Sequence, residues 1–223
     1  MKELKVAVLI DGAFFLKRYF SILPEKRNES ASVIAAEIHQ MALAHIGPEH
    51  YLYRIYYYDC YPLAKKIHHP LTGKAIDLQK SSFTKFRLEL LNELKRKRKV
   101  ALRIGQLKEN GNWIIHSSLT KKLLRQEMMV TDLKEDDIRL EIQQKGVDMK
   151  IGVDIATMAY KKLVDKIILV SGDSDFIPAS KLARLEGIDF VLDPMWNPID
   201  EKLLEHVDGI HSVIAKPVRK TAA

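Results

Sequence analysis

Lys166-Ile167-Ile168-Leu169-Val170-Ser171-Gly172-Asp173-Ser174-Asp175-Phe176 is the stretch whose reading decides the fold. A short apolar, β-branched run without polar alternation suits a strand covered on both faces, as in a parallel sheet. The acids come only where the chain leaves the strand. Phe176 then opens a helical pattern that runs to Leu185 and ends before Gly187.

The same design recurs in both directions along the chain. Lys5 to Ile10 is an apolar run that stops at Asp11-Gly12, and Arg54 to Tyr58 stops at Asp59. Val100 to Leu107 precedes a turn signal at Asn110-Gly111, and Ile188 to Leu192 lies between Gly187 and Asp193-Pro194. Helical spacing appears over Val33 to Ile46, at Phe83, Phe86, Leu90, Leu91 and Leu94, and over Ile151 to Leu163. Strands alternating with helices predict an α/β fold with a largely parallel central sheet flanked by helices.

Two further helix starts are expected, at Asp132 with Glu135 and at Asn197-Pro198 with Asp200, and a polar helix is expected before Gly146. Tyr61 to Asp132 is the least regular part and is expected to elaborate the sheet, with a hairpin at Asn110-Gly111 leading into Trp113-Ile114-Ile115. The expected organisation is one domain over 1–215 and a disordered tail over 216–223.

Of 223 residues, 47% are apolar, which suffices for a real core. No run of about 18 uninterrupted apolar residues occurs and no export signal is recognised, so no membrane role is expected. A lone Cys60 cannot close an internal disulfide, and no Cys/His spacing resembles a zinc site, which points to a reducing cytoplasm. With 36 Lys and Arg against 29 Asp and Glu, the net charge of +7 favours a polyanionic partner. Homodimerisation is left open.

In a parallel sheet, ligands bind beyond the carboxyl ends of the strands, near the point where strand order reverses. Asp11 and Asp173 belong there, with Asp175 beside Asp173. Gly12 and Gly172 are expected to let the chain turn sharply while leaving each acid accessible. Asp148, in Lys145-Gly146-Val147-Asp148, falls at a helix start, where a carboxylate can cap the helix or face a ligand. Asp154 is a second-rank acid, since six residues of helix turn it away from Asp148. Each aspartate alone has a plain reading as a cap or turn former; their joint placement is what suggests a site. Clustered carboxylates repel unless a cation intervenes, and oxygen-only ligands select a hard ion, Mg²⁺ or Mn²⁺.

The first strand with Asp11-Gly12, then Lys145-Gly146-Val147-Asp148 with Asp154, then Ile167 to Phe176, resembles the NYN domain family of PIN-like nucleases, particularly its LabA-like group. The resemblance spans about Lys5 to Val213. It implies a PIN-like α/β fold and metal-dependent hydrolysis of RNA phosphodiester bonds. It places the catalytic acids on Asp11, Asp148 and Asp173, and the metal ligands on these with Asp175 and Asp154. One departure stands out: many relatives have asparagine three residues after the first aspartate, and this chain has Phe14. That leaves two alternatives open, a nucleic-acid-binding regulator with little cleavage and a metal-dependent phosphohydrolase acting on a small molecule.

Lys95-Arg96-Lys97-Arg98-Lys99, with Arg103 on the next strand, is the candidate nucleic-acid contact. If its edge of the sheet borders the RNA path, changing the five run residues to alanine is expected to weaken RNA binding and flatten its salt dependence. The rate at saturating RNA should change little. Filter binding at several salt concentrations, on a metal-ligand variant, reads this; unaltered affinity and slope would make the run a solvated helix end.

Overall fold

The computed structural model describes residues 3–217, so most of the tail expected over 216–223 lies outside the described residues. In chain order the elements are β1 (Leu4–Asp11), α1 (Gly12–Ile22), α2 (Ala31–Ala44), β2 (His50–Cys60), β3 (Lys66–His68), β4 (Ala75–Asp77), α3 (Ser82–Arg96) and β5 (Val100–Ile115). Next come α4 (Ser117–Leu124), β6 (Ile138–Lys145), α5 (Val147–Tyr160), β7 (Lys166–Val170), α6 (Ile177–Leu185), β8 (Asp189–Asp193), α7 (Glu201–Leu204) and β9 (Gly209–Ile210).

Seven strands form one sheet in the order β6-β5-β2-β1-β7-β8-β9, and β3 and β4 form a separate hairpin. All pairs in the large sheet are parallel except β5 with β6. Beside β1 the chain goes one way to β2 and later the other way to β7, so the strand order reverses there. Val6 to Ile10 of β1 are fully buried because both faces of the sheet are covered. Val6, Val8 and Ile10 pack with α1, α2 and α3, whereas Ala7 and Leu9 pack with α5 and α6.

Several local expectations are corrected. Gly12–Ile22, not read as a helix from sequence, is one: Asp11 caps it, and Phe15, Leu16 and Tyr19 bury its inner face. The polar helix expected before Gly146 is the strand β6, whose Ile138, Leu140 and Ile142 alternate with polar residues at the period of two that a strand requires. Asn110-Gly111 makes no tight hairpin; β5 runs on to Ile115 through an irregularity in its pairing with β6, and its partner is β6. Asp132 closes only a 3-10 turn, and α7 is capped by Asp200, not by Asn197. His45 and His69 are buried, and His45 Nε2 lies 3.1 Å from Asp193 Oδ2.

One buried ion pair ties α3 to the end of β2. Asp59 is 0% exposed, Arg87 donates to its Oδ1, and Asp59 Oδ2 has no partner among the described residues. Burial pushes the Asp59 carboxyl up, and Arg87 holds it down against that push. Removing one member of a buried pair costs about 3–5 kcal/mol, because the other is left uncompensated. Arg87→Ala should therefore lower the melting temperature by roughly 10 °C. Arg87→Met combined with Asp59→Asn should recover most of that loss, and equal losses in the single and double variants would mean that the pair is not what anchors α3.

Candidate functional site

The parallel strands all end at one edge, and the acids collect there. Asp11 closes β1 opposite Tyr58 of β2, while Ile10 pairs with Val170, the last residue of β7. Ser171 to Asp175 come directly after it, so Asp11 and Asp173 flank the crevice where strand order reverses. β6 returns antiparallel along β5, bringing Lys145 opposite Gln106 just beyond the Cys60–Gly105 pair. Gly146, in the left-handed region at φ 79°, then starts α5 with Asp148 in its first turn.

Each of the three acids keeps oxygen free. Asp11 accepts the Ala13 and Phe14 amides through Oδ1, both at 3.1 Å, leaving Oδ2 without a hydrogen-bond partner among the described residues. Asp173 accepts the Asp175 amide through Oδ1 at 2.9 Å and caps the turn Ser174–Phe176. Asp148 is exposed and accepts no hydrogen bond from a described residue. Burial pushes the Asp11 carboxyl up to about 6; its two capping amides oppose this, and the Asp148 and Asp59 charges add to it. Asp148 is also raised, by desolvation first and then by Asp173 and Asp175.

Asp11 and Asp173 open onto a cleft of about 490 Å³ that Phe14, Lys17, Arg18 and Asn197 also line. The two glycines serve close approach here, since neither is among the positive-φ glycines. A Cβ on Gly12 would stand 2.6 Å from Tyr57 Cζ, and one on Gly172 would stand 2.8 Å from Phe14 Cε2 and 3.0 Å from Asn197 Nδ2. Phe14 thus packs on the loop that carries Asp173.

Asn197 is a cleft residue that sequence reasoning missed, because Asn-Pro reads locally as a helix start. It comes after two residues in the left-handed region, Met195 at φ 48° and Trp196 at φ 60°, a conformation that non-glycine residues adopt only when their surroundings enforce it. Arg18 supplies part of that enforcement, donating Nε and Nη2 to the Met195 carbonyl at 3.3 and 2.9 Å. Asp193 Oδ1 accepts the Met195 amide at 2.8 Å and supplies the rest.

Other residues singled out from sequence lie elsewhere. Asp154 is not held with the acids: its Oδ2 accepts from Arg103 Nε at 2.8 Å and from the Tyr58 hydroxyl at 2.9 Å. That pairing engages Arg103 too, which also lies 5.0 Å from the Tyr56 ring centroid. The basic run lies between α3 and the start of β5, at the amino edge of the sheet. Lys99 donates to the Leu52 carbonyl and sits 3.7 Å from the Tyr51 ring centroid, Arg96 pairs with Glu93, and Lys95 lies 5.8 Å from the Tyr61 centroid. Lys99 lies beside Ile55, whose amide donates to its carbonyl, at the opposite end of the parallel strands from Asp11 and Asp173.

Among the described residues, no group of three or more His, Cys, Asp and Glu side chains forms a metal cage. What suits a hard cation is the donor set: oxygen only, free of partners among the described residues at Asp11 Oδ2 and Asp148, with Asp148 raised by burial first and then by Asp173 and Asp175. Asp11, Asp148 and Asp173 therefore fit a hard divalent cation in chemistry, with Asp175 next to Asp173 in the same loop.

Without a cation this arrangement is costly. A carboxyl of ordinary pKa 3.8 that folding raises to about 6 loses stability as pH rises through that interval, and the loss is complete above it. Asn at position 11 can still accept the capping amides and carries no charge. In chelator, Asp11→Asn should be more stable than the unaltered protein at about pH 8, by up to roughly 3 kcal/mol, with the difference gone near pH 4. Thermal melts of the two proteins across that range check this; a pH-independent difference would count against burial and repulsion as the cause.

Residues 89–195 match the family model described as the NYN domain. The match includes Asp148, Asp173 and Asp175 and begins after the strand that carries Asp11. No curated protein matches the chain. Among solved structures, the crystal structure of a protein of unknown function from Vibrio parahaemolyticus is similar over 95% of this chain and 94% of that one, at 14% identity and a TM-score of 0.47. Over residues 89–195 this chain is therefore similar to the NYN domain, and NYN domains are members of the PIN-like nuclease family.

Proposed function

We propose that the chain is a metal-dependent endoribonuclease that hydrolyses RNA phosphodiester bonds at the carboxyl edge of its sheet. One observation carries this reading: Asp11, Asp148, Asp173 and Asp175 lie at the edge where the strand order reverses, and burial, with the charges of neighbouring acids added to it, raises the carboxyls of Asp11 and Asp148. Carboxylates kept in mutual repulsion beside an open cleft suit a divalent ion that phosphate oxygens complete. Cytoplasmic location belongs to the same reading and agrees with the single free Cys60. No helix among the described residues is long and apolar enough to cross a membrane.

In this reading Asp11, Asp148 and Asp173 hold the ion, and none of them attacks the substrate. Bound Mg²⁺ or Mn²⁺ supplies an acidified water and neutralises charge on the phosphate. Asp11 is fixed by its cap to α1 and Asp173 by its cap to the next turn, so both ligands are oriented before substrate arrives. Lys17, exposed on the cleft, is placed to meet a phosphate oxygen.

The runner-up is a nucleic-acid-binding regulator with little cleavage. Phe14 favours it, since an aromatic ring lies against the Asp173 loop where a polar group would help orient water. Cleavage separates the two. Asp11→Asn and Asp173→Asn should each lower RNA cleavage by at least about a hundredfold with unchanged circular dichroism. EDTA should abolish cleavage, and Mg²⁺ or Mn²⁺ should restore it better than Ca²⁺. Full activity in both variants, or after exhaustive chelation, would remove the metal mechanism; RNA binding without any cleavage by the unaltered protein would establish the regulator.

A further inference from the structure

The cleft at the acids does not end there. A second hollow of about 800 Å³ shares Ala13 and Lys17 with it and runs between α1 and the start of α3. Lys17 lies at the junction, exposed, and no described residue offers it a hydrogen bond or ion pair. Arg27 lines the far side, its Nε making only a long 3.4 Å contact to the Phe20 carbonyl. Phe83 stands on the ridge between this hollow and the next one, with 66% of its surface exposed. An exposed phenylalanine alone is ordinary. Here one lies on a groove lined by Lys17 and Arg27, and by the Asp59-paired Arg87, whose guanidinium is 5.9 Å from the Phe83 ring centroid, and this groove shares its Lys17 end with the proposed phosphodiester-cleaving site.

We infer that this groove binds single-stranded RNA, with Lys17 and Arg27 on backbone phosphates and the Phe83 ring stacked against an unpaired base. The inference rests on the ribonuclease reading and names the path by which its substrate arrives. Two terms recur in sequence-tolerant single-strand binding: cations that track the backbone, and aromatic faces that accept any base. The groove supplies both. A duplex keeps its bases stacked on one another and has no base free for Phe83. The Lys95 to Lys99 run also has exposed rings beside it, but Tyr51 and Tyr61 are met by Lys99 and Lys95 of the run itself, and the run enters β5 at the amino edge, opposite the ends of β1 and β7.

Binding can be read without catalysis. In an Asp173→Asn background with chelator, a fluorescein-labelled oligouridylate is titrated by anisotropy, with an RNA duplex as competitor. Phe83→Ala should weaken binding about tenfold, and Phe83→Trp should restore it, because stacking tolerates any aromatic ring. Lys17→Ala should reduce the slope of log affinity against log salt by about 0.7, the amount expected of one phosphate contact on a single strand. Replacing Lys95 to Lys99 by alanine should change affinity less than Phe83→Ala does. Thermal melts confirm that each variant is folded, which the exposure of Phe83 and Lys17 favours. RNA binding untouched by the Phe83 and Lys17 variants, or equal competition by duplex, would overturn the groove and leave the nuclease reading standing. No RNA binding by the unaltered protein would overturn both.

Discussion

Every other feature of the site depends on how completely β1 is enclosed. It has a hydrogen-bonded parallel neighbour on each side and helices over each face, so Val6 to Ile10 have no contact with water. A carboxylate inside such a strand would lose its hydration without compensation. The first position at which one is tolerable is the end of the strand, where α1 begins and its free amides can donate to an acid. Asp11 takes that position, and its two capping hydrogen bonds offset only part of the burial that raises its pKa. Packing thus delivers a carboxyl that is largely desolvated, fixed in orientation, and facing the crevice between β1 and β7. Asp173 reaches the same crevice by the same logic from β7.

The sequence made this frame readable because buried parallel strands have a distinct composition and because chain direction determines at which edge their flanking acids emerge. The runs ending at Asp11 and Val170 needed no tertiary information. Harder cases failed for identifiable reasons. Ile138 to Lys145 lies between a capping signal and a glycine, and its polar content hid a period of two that only its pairing with β5 makes stable. Asn197 obeys the local grammar of a helix start, yet Arg18, from the first helix, holds the preceding turn in a conformation that brings it to the cleft. The Arg103–Asp154 pair joins β5 to α5 and leaves no local trace. In each case a distant partner decided the outcome.

The basic run holds a different lesson, since its location is dictated by topology that was already legible. A segment that leaves a parallel strand emerges at the carboxyl edge, and a segment that enters one lies at the amino edge. Lys95 to Lys99 precede β5, which is parallel to β2 through Gly105, so they had to lie opposite the acids. Charge density alone pointed them toward the acid edge. Strand direction separates them from it, and contacts with Leu52, Tyr51, Glu93 and Tyr61 occupy several of their side chains.

Frame and groove therefore have separate origins in the chain. The acids come from elements that any sheet of this connectivity must contain: the ends of β1 and β7 and the start of α5. The groove wall opposite α1 comes from Ser82 to Arg87 at the start of α3 and from Gln144 near the end of β6. Both are set by tertiary anchoring: Arg87 is held by the buried Asp59, and Gln144 by pairing with Leu107 on the part of β5 that extends past the sheet. Because Asp59 also contributes to the raised pKa of Asp11, the anchor of the wall and the electrostatics of the acid site share one residue. A change at Asp59 or Arg87 acts on both at once, whereas Phe83, though exposed, touches the anchor only through the Arg87 guanidinium 5.9 Å from its ring centroid. In the proposed reading, that separation would let RNA contacts vary at the rim while the enclosed strand keeps the acids in place.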